Sequence, residues 1–281
     1  MSSIGYYNGT MDAPDRIRIP LLDRAVCFGD GCYEACFVRN GKGFGLEAHI
    51  DRFYRSLALL RIQPYSDRET LKAILAQCVA AANEPTSVLY WQCSRGTAPR
   101  KHAFPPADVP SNLAVTVTPK PLPEAHGTVR LMTAEDIRYT MCNAKTLNLL
   151  PNVLTNQIAT DRGLDGAIFL RNGIVTEGTH SNVHILQDGV FITHPADQYI
   201  LNGITRAVLL DTCAALGIPV REEPFTRERL FTADAVLISA STAGPRTVTE
   251  IDGVAVGGKD NGLAKALQTA YYQRFLKETE A

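Results

Sequence analysis

Apolar residues recur every three or four positions through "EAHIDRFYRSLALLRI" (47–62) and "RETLKAILAQCVAAANE" (68–84), so the sequence predicts an amphipathic helix over each. The run "AVCFGDGCYEACFVRNGKGFGL" (25–46) instead reads as two strands around a turn at Asn40-Gly41. Runs rich in β-branched and aromatic residues, "SVLYWQCSRG" (87–96) and "NLAVTVTPKP" (112–121), predict two more strands. The first part of the chain is therefore α+β.

Past the proline-rich stretch "TPKPLPEAHG" (118–127) the alternation starts again. "TVRLMTAED" (128–136) reads as a strand and "TLNLLPNVLTNQIATDRG" (146–163) as a helix stopped by Gly163. "GAIFLRNGIVTEGTHSNVHILQDGVFITHP" (166–195) holds three strand runs with turns at Asn172-Gly173 and Asp188-Gly189. A helix over 203–217, a strand over 234–241 and a terminal helix over 262–280 complete the pattern. Repeated proline stiffens the chain and interrupts both helix and ladder, which makes this stretch the expected linker. The chain then divides into an N-terminal α+β domain (1–120), a connection (121–130) and a C-terminal α+β domain (131–281).

Composition narrows the function. A chain of 281 residues, 45% hydrophobic, buries enough for two medium domains. A net charge of -1 with no basic stripe points away from nucleic acid and from an electrostatically held membrane surface. The first residues have no apolar core of a signal peptide, and no apolar run reaches membrane-spanning length, so a cytoplasmic protein acting on small molecules is expected. Seven cysteines form no CxxC pair, and Cys27, Cys32 and Cys36 lack histidines at zinc-ligand spacing. Reduced thiols and no metal site are the expectation.

Several short stretches carry chemistry. In "ILNGITRAVLL" a glycine precedes a helix whose first turn exposes the N–H groups of Ile204 and Thr205, a geometry that suits phosphate. The hydroxyls of "SAST" (239–242) either cap a turn or donate to phosphate oxygens. Glu177 in "VTEGTHSN" ends a strand just ahead of Ser181 and Asn182, where a carboxylate is able to keep a heterocyclic nitrogen protonated. The loop "SRGTAPRKHAFP" (94–105) sets out Arg95, Arg100, Lys101 and His102 as either a solvated basic turn or a trap for carboxylate. Lys145 in "CNAKTLNLLPN" taken alone is one more solvated charge.

Taken in order, "FGDGCYE" (28–34), "HIDRFYRS" (49–56), "RGTAPRKHAFP" (95–105), "NAKTLNLLPN" (143–152), "TEGTHSN" (176–182), "NGITR" (202–206) and "SAST" (239–242) resemble the class IV aminotransferases, the fold-type IV pyridoxal-phosphate enzymes. The resemblance runs over nearly the whole chain. The Arg-x-His loop and the "KTLNLL" setting of the lysine are most similar to the D-amino-acid aminotransferase branch. It implies a two-domain α+β fold with the pyridoxal 5'-phosphate cofactor between the domains, and usually a homodimer.

Residue by residue, the resemblance makes Lys145 the Schiff-base lysine and proton shuttle, and Glu177 the partner of the pyridine nitrogen. Arg52, the backbone of Ile204 and Thr205, and Thr242 match the phosphate cup, and Ser181, Asn182, Leu201, Gly203 and Ser241 are implied as further cofactor-binding residues. Tyr33, Arg100 and His102 match the group that holds the α-carboxylate of a D-amino acid. The implied reaction moves an amino group between D-amino acids, such as D-alanine or D-glutamate, and 2-oxo acids. Phe37 stands where lysine is often found, His180 where a small residue is common, and "STAGP" lacks the usual serine and glutamate. These departures leave open a branched-chain L-amino-acid or (R)-amine aminotransferase, or an aminodeoxychorismate lyase, of the same fold, and a cofactor-binding protein without catalysis.

Overall fold

The computed structural model describes residues 3–280, which fall into two compact units. Of the described residues, the first comprises those up to 122, 144–148 and those from 277 on, and the second 123–143 and 149–276. The division after Leu122 lies inside the proline-rich stretch, whose residues 120–127 form neither helix nor ladder.

The first unit contains β1 (Ile4–Tyr7), β2 (Thr10–Asp12), α1 (Arg24–Phe28), β3 (Gly31–Arg39), β4 (Lys42–Gly43), α2 (Leu46–Leu59), α3 (Arg68–Ala82), β5 (Thr86–Ser94) and β6 (Asn112–Pro119). Its strands form one sheet in the order β2-β1-β6-β5-β3-β4, all neighbours antiparallel. Leu89, Trp91, Val115 and Val117 of the sheet pack with Ile50, Phe53 and Leu57 of α2 and Leu71 and Leu75 of α3, all 2% exposed or less. Each such side chain contributes about 1.5–3 kcal/mol relative to exposure.

One expectation fails in this unit. The start of 25–46 is not a strand but the short helix α1. The Asp23 carboxylate accepts from the Ala25 N–H at 2.8 Å, and Gly29 closes the turn at φ 64°. A side-chain cap and a left-handed stop outweigh the β preference of Val26 and Phe28.

The second unit contains β7 (Thr128–Glu135), α4 (Leu150–Asp161), β8 (Gly166–Arg171), β9 (Ile174–Gly178), β10 (Asn182–Gln187), β11 (Val190–Thr193), α5 (Ile204–Leu216), β12 (Val220–Glu222), α6 (Arg227–Thr232), β13 (Ala235–Ala240), β14 (Gly244–Ile251), β15 (Val254–Ala255) and α7 (Leu263–Glu278). The sheet order is β12-β11-β10-β13-β14-β7-β8-β9, with β15 on β14. β9 also pairs with β10, so β10, β13, β14, β7, β8 and β9 close into a ring. Val183, Ile185, Val236, Ile238, Val248 and Ile168 fill one side of that ring. β7 and β8 are parallel and need a crossover, which α4 supplies.

Two details differ from the pattern-based reading. The helix expected from Thr146 begins only at Leu150, because 144–148 is tied to β3 of the first unit and Pro151 occupies the first turn. The middle strand run of 166–195 is split, since Gly178 N–H donates to Ser181 O at 2.6 Å and the chain turns over between β9 and β10. The turns at Asn172-Gly173 and Asp188-Gly189 have positive φ at both residues, the type I′ hairpin geometry. Among the described residues no helix is long and apolar enough to cross a membrane.

Candidate active site

In the first unit Lys145 is held by its own peptide. Its carbonyl accepts from Tyr33 N–H at 2.9 Å, its N–H donates to Ser56 Oγ of α2 at 3.2 Å, and Leu147 N–H donates to Gly31 O at 3.0 Å. Thr146 bridges to Cys32 of β3. The approach is close enough to require glycine at 31, where a Cβ would lie 2.5 Å from Cys93 O and 2.8 Å from Leu147 Cδ1. The backbone is thus fixed while the side chain stays half-buried, its Nζ 4.1 Å from the centroid of the Tyr33 ring. Tyr33 stacks in turn on Tyr90, with centroids 5.5 Å apart.

Arg52 is buried on α2 and pairs with Glu34 of β3 through Nε–Oε1 (2.7 Å) and Nη2–Oε2 (2.9 Å). His49, one turn earlier, brings Nδ1 within 2.7 Å of the same Oε2. Burial alone would push the Glu34 carboxyl up, but Arg52 and His49 hold it down at about 2. Burial, then the Arg52 and Lys145 charges, push the His49 imidazole below its ordinary range against the pull of Glu34. Arg52 is therefore held in place by a buried carboxylate. Glu34 and His49 sit inside the quoted motifs, and their only sequence signal is a glutamate in an apolar strand opposite a His and an Arg one turn apart.

Arg100 and His102 lie exposed in the loop after β5 and gather on one ring. The Arg100 guanidinium stands 4.8 Å from the Phe28 centroid, and the His102 ring 5.5 Å from it. The loop is anchored beneath by Arg95, which is buried, pairs with Asp30 and lies 3.7 Å from the Phe104 ring. Arg24 pairs with Asp30 and donates to Lys101 O at 2.8 Å. Burial raises the Asp30 carboxyl, but Arg95 and Arg24 overcome it and hold it low. Of the four basic residues read in this loop, Arg95 is thus a brace, and Arg100 and His102 are presented to solvent. Phe37 is buried at 2% exposure.

In the second unit Glu177 ends β9 with both oxygens engaged. Oε1 accepts from Arg138 Nη1, and Oε2 accepts from Leu201 N–H at 3.0 Å and from Asn182 Nδ2 at 3.3 Å. Arg138 also grips Asp136 through Nε and Nη2, both at 2.9 Å, and Thr176 donates to Asp136 Oδ2 at 3.0 Å. Burial works against the Arg138 charge, yet Asp136 and Glu177 raise its affinity for the proton. Arg138 and Asp136 close the strand run "TVRLMTAEDIR" and gave no signal beyond two charges at a strand end.

Helix α5 starts at Gly203 with no side chain capping it, leaving the first-turn donors of Ile204 and Thr205 without a side-chain oxygen. Gly203 packs closely here: a Cβ would lie 2.0 Å from Asn182 Oδ1 and displace that amide. Asn182 Nδ2 donates to Leu201 O at 2.8 Å, which ties the 194–203 loop to β10. Thr205 is buried, whereas Ser241 and Thr242 are half-buried at the end of β13. Ser181 is half-buried and His180 exposed in the turn after Glu177, with His180 Nδ1 3.2 Å from Thr179 Oγ1. A surface cleft of ≈ 480 Å³ lined by Asn40, Val79, Asn83 and Glu84 includes none of these residues.

The two units thus present complementary chemistry. The first offers an amine beside a phenol ring and an exposed Arg/His pair. The second offers an ion-paired carboxylate and an uncapped helix start. The described residues include no cluster of histidine, cysteine or carboxylate fit to hold a metal ion.

Comparisons with known proteins give this chemistry a family. The family model of amino-transferase class IV matches residues 31–251. A D-alanine aminotransferase of Bacillus licheniformis is 38% identical over 275 residues, 97% of each chain. One of Listeria innocua is 40% identical over 266 residues, covering 92% of this chain and 91% of its own. Among solved structures, the branched-chain amino acid aminotransferase of Escherichia coli superposes with a TM-score of 0.89 at 25% identity, covering 100% of this chain and 97% of its own. That of Thermoproteus uzoniensis does so with 0.87 at 25%, covering 99% and 96%. With six of the seven motifs wholly inside the matched region and the seventh overlapping its start, the chain belongs to the class IV aminotransferases, enzymes that work with pyridoxal phosphate.

Proposed function

We propose that this aminotransferase moves amino groups between D-amino acids and 2-oxo acids, with D-alanine and D-glutamate as donors and pyruvate and 2-oxoglutarate as acceptors. The observation that carries the reading is the likeness to D-alanine aminotransferases at 36–40% identity over more than nine-tenths of the chain. The branched-chain enzymes share the fold at lower identity. A homodimer in the cytoplasm is part of the same reading.

The residues present fit the cofactor. An uncapped helix start behind a closely packed glycine suits a phosphate, and Ser241 and Thr242 add hydroxyls at a neighbouring strand end. Arg52 is proposed to supply charge to the same group. When bound, pyridoxal phosphate supplies an electrophilic carbon and a ring that, protonated at nitrogen, delocalises the electron pair left at the substrate's Cα.

The chain's own residues do the rest. Lys145 would hold the cofactor's electrophilic carbon through Nζ and, as a free neutral amine, would carry the proton that leaves the substrate's Cα. Its fixed peptide leaves only the side chain to move. Glu177, ion-paired with Arg138, would accept a hydrogen bond from a protonated ring nitrogen. Arg100 and His102 hold the α-carboxylate, with Tyr33 beside them, and so select which enantiomer turns its Cα–H toward Lys145.

The test is the rate of the first half-reaction with D-alanine, L-alanine, L-leucine and (R)-1-phenylethylamine, followed by the visible absorbance of the cofactor. D-alanine is expected to react fastest. Faster reaction of L-leucine or of the amine would replace this reading by the branched-chain or amine one.

A further inference from the structure

The second unit contains one buried imidazole to which the reaction assigns no role. His184 lies on β10, fully buried, two residues inside Asn182. Its Nδ1 is 2.9 Å from Thr193 Oγ1, the residue opposite it on β11, and its Nε2 is 2.8 Å from Ser239 Oγ on β13. Ser239 stands opposite Asn182 in the β10–β13 register, so the imidazole reaches diagonally across the sheet. The ring also stacks on Phe191 with centroids 5.0 Å apart. Both ring nitrogens are satisfied by hydroxyls, each able to donate or accept, which suits a neutral imidazole. Burial, helped by the Arg206 charge, pushes its pKa down to about 3.

What makes this arrangement informative is where the three strands lead. β10 opens at Asn182, whose side chain bonds Leu201 O and reaches Glu177. β11 ends at Thr193 and runs into the loop that delivers Leu201, Gly203 and the start of α5. β13 ends just past Ser239, and its next residues are Ser241 and Thr242. Every candidate cofactor residue of this unit outside β9 and its turn therefore leaves the sheet within a few residues of a group hydrogen-bonded to or paired beside His184.

We infer that His184 is a positioning residue that locks the ends of β10, β11 and β13 together and so sets the spacing of the phosphate-binding loops. This deepens the reading of the unit as a cofactor site and rests on it. An apolar residue there would fill the volume but leave the Ser239 hydroxyl unpartnered and that of Thr193 with only its long 3.5 Å bond to Val183 O, freeing the strand ends to shift.

The experiment uses the full-length protein and four variants: His184→Phe, which keeps the stacking and loses both hydrogen bonds, Ser239→Ala, Thr193→Val, and Leu230→Ala as a control in the apolar core of the same unit. Amide hydrogen exchange without cofactor reads the brace itself. Exchange over 194–203 and 239–242 is expected to quicken at least tenfold in His184→Phe and to a lesser degree in Ser239→Ala and Thr193→Val. Leu230→Ala is expected to lower the melting temperature without that local change. Titration with pyridoxal phosphate reads the consequence: its Kd rises at least tenfold in His184→Phe and stays near the wild-type value in Leu230→Ala. Wild-type protein that bound no pyridoxal phosphate would overturn the cofactor reading while leaving the exchange result to judge the brace. Unchanged exchange in His184→Phe, or equal Kd values in His184→Phe and Leu230→Ala, overturns the inference.

Discussion

Glu177 and Asn182 stand directly opposite each other in the pair that joins β9 to β10 and closes the ring of strands in the second unit. The carboxylate proposed to address the cofactor ring is therefore part of the seam of its own scaffold. Its orientation is set by four partners: Arg138, the Leu201 N–H, the Asn182 amide and the strand itself.

The first prediction concerns that carboxylate. Glu177→Gln keeps the volume and is expected to slow turnover by about 10²-fold or more, as loss of a charge-stabilising group generally does. Arg138→Ala is expected to be worse for the fold, because it takes the counter-ion from buried Glu177 and leaves buried Asp136 with Arg171 alone. Breaking such a pair from one side costs roughly 3–5 kcal/mol. Chemical denaturation of the two variants checks the ranking, and equal stability would show that Arg138 is not the counter-ion.

A second prediction follows from the pinned peptide of Lys145. Since main-chain bonds to Tyr33 and Ser56 hold the segment, Lys145→Ala is expected to abolish transamination and leave the melting temperature within about 2 °C of wild type, the scale of a neutral surface change. Borohydride reduction followed by peptide mapping is expected to mark Lys145 in wild type and nothing in the variant. A marked peptide elsewhere would reassign the nucleophile.

The exposed pair yields the third. Removing Arg100 or His102 deletes one charge-assisted donor, and kcat/KM for D-alanine and D-glutamate is expected to fall roughly 10- to 150-fold. Stability and cofactor content are expected to hold, because both side chains are solvent-facing. (R)-1-Phenylethylamine, which has no carboxylate, is the internal control. Equal losses with the amine would mean the substitutions disturb the loop rather than the grip.

The fourth concerns acid. An unfolded His184 takes up a proton below about pH 6.5, whereas the folded one resists until about 3, so the stability linked to it is complete above 6.5 and drains as pH falls toward 3. His49 acts in the same direction. Glu34 works from a lower threshold: its contribution is present above about 4.5 and is lost as pH falls toward 2. The melting temperature is expected to drop steadily from pH 7 to 5, with a shallower slope in His184→Phe. A flat profile in wild type over that interval would contradict the burial of both imidazoles.

The sequence made periodic elements legible and left contacts that span the chain illegible. α2, α3, α5 and α7 appeared through spacing and end signals, and the three Asn-Gly and Asp-Gly hairpins through turn chemistry. Leu150, not Thr146, starts α4, because the preceding residues answer to β3 more than a hundred positions earlier, which no local pattern records. α1 was hidden for the opposite reason: a single Asp23 cap decides it. The candidate lysine, glutamate and glycine were readable through ordered motifs. Their buried supports, Glu34, Asp136, Arg138 and His184, look like ordinary polar residues until the partners are known.

The attachment of Lys145 to β3 and α2 also carries a consequence for how the enzyme matures. During synthesis residues 31–56 leave the ribosome long before residue 145, and N-terminal regions generally fold first. The lysine segment thus arrives at a surface already assembled, and closing that long loop is the slow kind of step. With Lys145 as the proposed Schiff-base lysine, its seating would be a late step of folding that waits on the first sheet.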